Sequence, residues 1–193
     1  MREMEIMDLF TKTGAYREGH FRLSSGLHSA FYLQCALVLQ DPVIAARLSE
    51  ALAKKFTRDR PDVVIGPAMG GVIIAYEVAR VMGAKAIFAE RNDKGEMAIR
   101  RGFIVSPNDR VLVVEDVLTT GKSVKEVLEL LKKKEITPVG IAALVDRSTE
   151  MIDFDGIKHE SLIKLNVPVF TEADCPFCLE GIPMTKPGSR KEL

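Results

Sequence analysis

Short runs of consecutive apolar residues recur along the chain and alternate with segments whose apolar positions return every three or four residues. "DVVIG" (62–66), "AKAIFAE" (84–90), "RVLVVED" (110–116) and "VGIAALVD" (139–146) have the length and β-branched content of buried strands. Between them lie helical patterns. Asp41 followed by Pro42 supplies an N-cap and a first-turn proline for "PVIAARLSEALAKKF". "VIIAYEVARVM" is closed by Gly83, and a further helix covers about residues 121–134. "RNDKGE" is a turn and "MAIRRGFIV" a returning strand, which predicts a hairpin over residues 85–105. Buried strands alternating with helices predict an α/β fold whose mostly parallel, five-stranded sheet is covered on both faces. Sites in such sheets lie beyond the carboxyl ends of the strands, here after Ile65, Val114 and Val145.

Ahead of this rhythm, "MREMEIMDLF" predicts a helix ending near Gly14, and "HFRLSSGLHSAFYLQ" two strands joined by a turn. At 193 residues the chain suffices for one domain with one large core. Basic and acidic residues number 27 each, so no overall field attracts nucleic acid, and Lys132, Lys133 and Lys134 read as a solvated helix face. There is no signal-peptide core and no membrane-spanning run, so a cytoplasmic protein is expected. Three cysteines, Cys35, Cys175 and Cys178, make no disulfide framework.

The densest chemistry lies in "VLVVEDVLTTGKS" (111–123). A strand ends in Glu115 and Asp116, and Thr119, Thr120, Gly121, Lys122 and Ser123 lead into a helix. Unpaired N–H groups at a helix start favour an anion, and the hydroxyls add donors, so this turn can cradle a phosphate. It is not a Walker A loop, since the spacing G-x-x-x-x-G-K-[ST] is absent. Taken alone, "TTGKS" reads equally as a capped helix start. Carboxylates beside a phosphate site suit a ligand with sugar hydroxyls and a divalent cation on a second phosphate group. Phosphoribosyl pyrophosphate (PRPP) has that layout.

That string closely resembles the PRPP-binding signature of the type I phosphoribosyltransferases. The resemblance implies that Glu115 and Asp116 hold the ribose hydroxyls, that the turn from Thr119 to Ser123 binds the 5-phosphate, and that Val117 and Leu118 also belong to the PRPP site. "GPAMGG" (66–71), with Gly70 and Gly71, resembles the family's pyrophosphate loop. "GHFRLSSGLHSAFYLQ" and "VDRS" (145–148) resemble segments of the orotate phosphoribosyltransferases, and the likeness runs over nearly the whole chain. It implies a small hood (about 1–40) over the base site, a core (about 41–170) and a C-terminal tail (171–193). Arg147 matches the orotate-binding arginine, a bidentate partner for a carboxylate. Tyr32 and Thr119 would also meet the base. A surface Arg147 paired with Asp146 is the plainer alternative, and core packing is the plainer use of Tyr32.

The chain departs from the family pattern in two places. Ser24 stands where many members carry lysine, and Arg22 would share a strand face with it and could supply the charge. The mobile loop reads "FAERNDKGEMAIRRGF", with Arg91 and Lys94 at basic positions but Glu90 and Glu96 where arginine and histidine are common. Lys94 is the candidate for contacting pyrophosphate across a dimer interface, with Arg100 or Arg101 as substitutes. An exposed hairpin tip is the bland alternative.

The resemblance implies transfer of the 5-phosphoribosyl group from PRPP to orotate in UMP synthesis, with Mg2+ carried by PRPP, in a homodimer. A transferase of another base and a non-enzymatic PRPP sensor are the rivals. "CPFC" (175–178) is half a zinc site by spacing, but no second Cys or His pair is near in sequence, and His159 alone does not complete four ligands. It is read as a reduced structural pair, and His20 and His28 as packing or turn residues.

Overall fold

The computed structural model describes residues 1–23 and 25–187. Its centre is a six-stranded sheet of β3 (Val63–Pro67), β4 (Lys85–Arg91), β5 (Met97–Ile99), β6 (Val111–Leu118), β7 (Gly140–Asp146) and β8 (His159–Lys164). The order is β5-β4-β3-β6-β7-β8, and only the β4–β5 pair is antiparallel. The strand absent from the sequence reading is β8. "HESLIK" has no apolar run because β8 is an edge strand with one buried residue, Ile163.

Side-chain alternation explains why the central strands read as continuous apolar runs. Val64, Leu112, Val114, Ala142 and Leu144 pack on one face against Leu48, Leu52, Ile74 and Val78. These partners come from α3 (Pro42–Ala53) and α4 (Gly70–Met82), and α1 (Glu3–Lys12) adds Ile6 and Phe10. Val63, Ile65, Val111, Val113, Ile141 and Ala143 point the other way, onto Val124, Val127 and Leu131 of α5 (Lys122–Lys132). Both faces are buried, so each strand must be apolar at every position.

Several local signals act as the sequence implies. The Asp41 carboxylate accepts from the N–H groups of Val43 and Ile44, and Gly83 closes α4 in the left-handed region at φ 68°. The predicted hairpin is shorter than expected: β5 stops at Ile99, and the chain turns through Arg101 and Gly102, both with positive φ. A short helix, α2 (Cys35–Leu39), also precedes α3.

The hood is a second, antiparallel sheet of β1 (Tyr16–Arg22), β2 (His28–Leu33) and β9 (Val169–Phe170), ordered β1-β2-β9. Its third strand comes from the other end of the chain. Beyond it, α6 (Pro176–Leu179) follows, and Thr185 bridges to Phe21: its N–H donates to the His20 carbonyl (2.9 Å) and its carbonyl accepts from the Arg22 N–H (3.0 Å). The C-terminal tail is therefore pinned to the hood at Thr185, and residues 188–193 lie outside the described part. Among the described residues no helix is long and apolar enough to cross a membrane.

Candidate active site

Strand β6 runs through the middle of the sheet and delivers two carboxylates at its carboxyl end. The alternation of the strand sends them apart. Asp116 continues the α4 face of Leu112 and Val114, and Glu115 the α5 face of Val111 and Val113. Asp116 thus meets the start of α4, where a Cβ on Gly70 would stand 2.6 Å from its Oδ1. Glu115 borders a small cavity of about 60 Å³ lined by Thr119, Thr120, Gly121, Lys122 and Ser123.

Burial raises the pKa of both acids. Glu115 is only 8% exposed, and desolvation, followed by the charge of Asp116, pushes its pKa up to about 9. Desolvation also raises the Asp116 pKa, opposed by its hydrogen bond with Glu115 and by the Val117 N–H, which donates to Oδ1 at 2.8 Å. At neutral pH Glu115 therefore carries its proton, which hydroxyl donors or positive charge can displace.

The turn after β6 has the form of an anion cradle. Gly121 adopts the left-handed region at φ 70°, and a Cβ there would come within 2.9 Å of Ile152 and 3.1 Å of Phe154, so glycine is required on two counts. The 11-residue helix α5 starts at Lys122 and presents its first N–H groups here. On the other side of β6, Gly71 lets α4 approach the strand, because a Cβ there would lie 2.9 Å from the Val114 carbonyl oxygen. The Ala68–Met69 peptide between β3 and α4 is cis.

A larger cavity of about 600 Å³ opens between the hood and the sheet. Tyr32 from β2, Arg147 just past the end of β7, Val117 of β6, and Thr119 and Thr120 from the turn after β6 all line it. Arg147 is held by its own backbone, whose N–H donates to the Leu118 carbonyl at 2.9 Å. Asp146 does not pair with it. That carboxylate accepts from the Ser148 hydroxyl and N–H at 2.6 and 2.8 Å and faces Lys164 at 3.5 Å. Burial lowers the Arg147 pKa, the mark of a guanidinium partly withdrawn from water.

The hairpin residues stand apart from this assembly. Arg91 pairs with Glu126 of α5 at 2.7 Å and also donates to the Gly95 carbonyl, and Arg101 pairs with Glu90 at 2.8 Å. Lys94 sits in the exposed turn between β4 and β5, and neither Arg91 nor Lys94 lines either cavity.

Among the residues the sequence reading did not select, the charged Lys186 also lines the larger cavity. It arrives from the C-terminal segment; Ser24, where many family members carry lysine, lies outside the described residues. Arg22, offered as the substitute charge, does not line the cavity. In the fold, His20 and His28, about 150 positions away in sequence, meet Cys175 and Cys178, whereas His159 stands edge-on to Phe154.

Comparison with known proteins bears on the same elements. The family described as "Phosphoribosyl transferase domain" matches residues 38–166. The orotate phosphoribosyltransferase of Pelotomaculum thermopropionicum is 53% identical over 191 residues, covering 99% of this chain and 100% of that protein. The chain belongs to the orotate phosphoribosyltransferase family. The family's enzyme from Thermotoga maritima is 51% identical over 96% of this chain and 98% of its own length. Among solved structures, the orotate phosphoribosyltransferase of Aeropyrum pernix superimposes with a TM-score of 0.70 at 28% identity, covering 83% of this chain and 93% of that one. The Mycobacterium tuberculosis enzyme, solved in complex with inorganic phosphate, gives 0.68 at 27% identity, over 83% and 94%. Membership accounts for the mostly parallel sheet, and the acidic pair, the phosphate turn and Arg147 stand at the carboxyl ends of its strands, where such sheets place their sites.

Proposed function

We propose that this chain transfers the 5-phosphoribosyl group of PRPP to orotate, giving orotidine 5-phosphate and pyrophosphate in pyrimidine nucleotide synthesis. One observation carries the assignment of groups: Arg147 and Tyr32 line the same cavity as Thr119 and Thr120 of the phosphate turn. A ligand with its phosphate on that turn places its sugar beside β6 and its base under the hood.

In this reading the ring nitrogen of orotate attacks the ribosyl C1 as the bond to pyrophosphate breaks, with inversion through an oxocarbenium-like state. Orotate binds already as a carboxylate anion, so no strong base is required, and the ring N–H proton leaves to water or to the departing pyrophosphate as the N–C1 bond forms. Glu115 and Asp116 accept from the ribose hydroxyls and, once ionised, stabilise positive charge developing on the ring. Arg147 pairs with the orotate carboxylate, and Tyr32 lies over the base. The start of α4 at Gly70 and Gly71 offers backbone to the pyrophosphate.

A magnesium ion carried in on the pyrophosphate would neutralise charge on the leaving group. The donor set fits such an ion, since the carboxylate oxygens of the acidic pair are hard ligands in a buried setting. Lys94 and Arg91 project from an exposed hairpin, a position suited to reaching a neighbouring subunit's site in a homodimer. Three free cysteines fit operation in the reducing cytoplasm.

The test is orotate-dependent release of pyrophosphate from PRPP with and without magnesium. Stoichiometric loss of orotate supports the proposal, and turnover of adenine or hypoxanthine in its place would refute it.

A further inference from the structure

Under the hood, away from the acidic pair, four metal-ligating groups converge. His20 of β1 and His28 of β2 are 4% and 2% exposed, Cys175 is fully buried and Cys178 partly so. One ligand atom from each lies within 4.8 Å of all the others. We propose that His20, His28, Cys175 and Cys178 form a structural zinc site that staples the C-terminal segment to the hood.

The distances match one tetrahedral ion. With Zn–N bonds of ~2.05 Å and Zn–S bonds of ~2.3 Å, ligand atoms should lie about 3.3 Å apart for two nitrogens and about 3.6 Å apart for nitrogen and sulfur. His20 Nε2 and His28 Nδ1 are 3.1 Å apart. The Cys175 and Cys178 sulfurs lie 3.5 and 3.6 Å from His20 Nε2, and Cys178 Sγ lies 3.2 Å from His28 Nδ1. A binuclear iron–sulfur cluster would put the histidines and cysteines on different irons, which this mixed, compact spacing does not allow.

Hydrogen bonding alone leaves the cluster unexplained. His20 Nδ1 lies 2.8 Å from the Ile182 carbonyl oxygen, which can only accept, so the ring proton is on Nδ1. Nε2 then has one lone pair and no proton, yet three ligand atoms surround it within 3.6 Å. A cation at the centre uses all four at once. The contact with Ile182 is also the outer hydrogen bond that metal-bound histidines use to fix tautomer and ring orientation. Two thiolates and two neutral imidazoles balance the charge of a divalent zinc, which makes the cluster cheap to bury. With four protein ligands the shell is closed, so the ion is structural rather than catalytic.

The position gives the ion a task. Cys175 is the N-cap residue of α6, a four-residue helix with no buried residue of its own, and Cys178 lies within it. The chain beyond it bridges Phe21 through Thr185 and sends Lys186 and Pro187 into the wall of the larger cavity. Holding the two cysteines on β1 and β2 fixes the start of that wall. The proposal does not depend on which base the cavity takes.

The test uses the full chain, purified under reducing conditions with zinc supplied, with metal content measured after gel filtration. About one zinc per chain is expected, with visible ligand-field bands of tetrahedral cobalt thiolate after cobalt replacement. His20→Ala and Cys178→Ser should each lose the ion. Should those variants fail to fold, a strong chelator added to the wild-type chain should lower its Tm, and zinc should restore it. Absence of stoichiometric metal, a Tm indifferent to chelator, or full occupancy by a different ion would overturn the proposal.

Discussion

Asp116 and Gly70 are interlocked: a Cβ on the glycine would stand 2.6 Å from one carboxylate oxygen and 2.7 Å from the other. The acidic end of β6 and the start of α4 thus define each other's position. Gly70→Ala must move the carboxylate, while alanine in a helix is intrinsically favoured over glycine by about 1 kcal/mol. The expected outcome is a kcat/KM lowered on the order of 100-fold, with thermal stability little changed. Steady-state kinetics and a melting curve check both halves.

Removing charge at the same place should act without moving anything. Asp116→Asn is expected to lower kcat/KM by about two orders of magnitude, about 3 kcal/mol of transition-state stabilisation. An unchanged value would take Asp116 out of the site.

The protonation of Glu115 gives a pH signature. Its folded pKa of about 9 lies above the ordinary 4.5, so between those values the folded chain holds a proton that the unfolded chain has released. Glu115's contribution to stability is therefore fully present below pH 4.5 and lost as pH rises toward 9. Glu115→Gln should flatten the fall in Tm of the ligand-free protein over that window. Where binding of PRPP with magnesium ionises Glu115, titration calorimetry in buffers of different ionisation enthalpy should detect protons released near neutral pH.

Much of this was legible in the sequence where local chemistry dictates structure. Apolar runs such as "VLVV" can be satisfied only by a strand buried on both faces, and Asp41 with Pro42 marks a helix start whatever surrounds it. The turn from Thr119 to Ser123 is one continuous segment, so its form as a glycine turn opening a helix could be read off directly. The missed features are long-range. Strand β8 hides because an edge strand needs little apolar content. Lys186 reaches the cavity only because Thr185 bridges to Phe21, a pairing no local pattern announces. His20 and Cys175 are 155 positions apart, so their spacing carries no motif.

The hairpin carrying Lys94 makes a separate prediction. Lys94→Ala and Asp116→Asn should each be nearly inactive alone. If Lys94 serves the neighbouring subunit's site, subunits bearing the two different substitutions should regain activity when mixed, because a mixed dimer assembles one intact site. Absence of recovery in verified mixed dimers would return Lys94 to its own subunit or to no role.

The most direct test of the central claim compares orotate with uracil, which lacks the carboxylate, as acceptors from PRPP in the wild-type chain and in Arg147→Ala. The account predicts turnover of orotate and little of uracil by wild type. In the variant the preference should collapse by about 10- to 100-fold, the worth of one charge-assisted contact, chiefly through a higher KM for orotate. A variant that keeps the full preference, or a wild-type chain that does not distinguish the two bases, would contradict it.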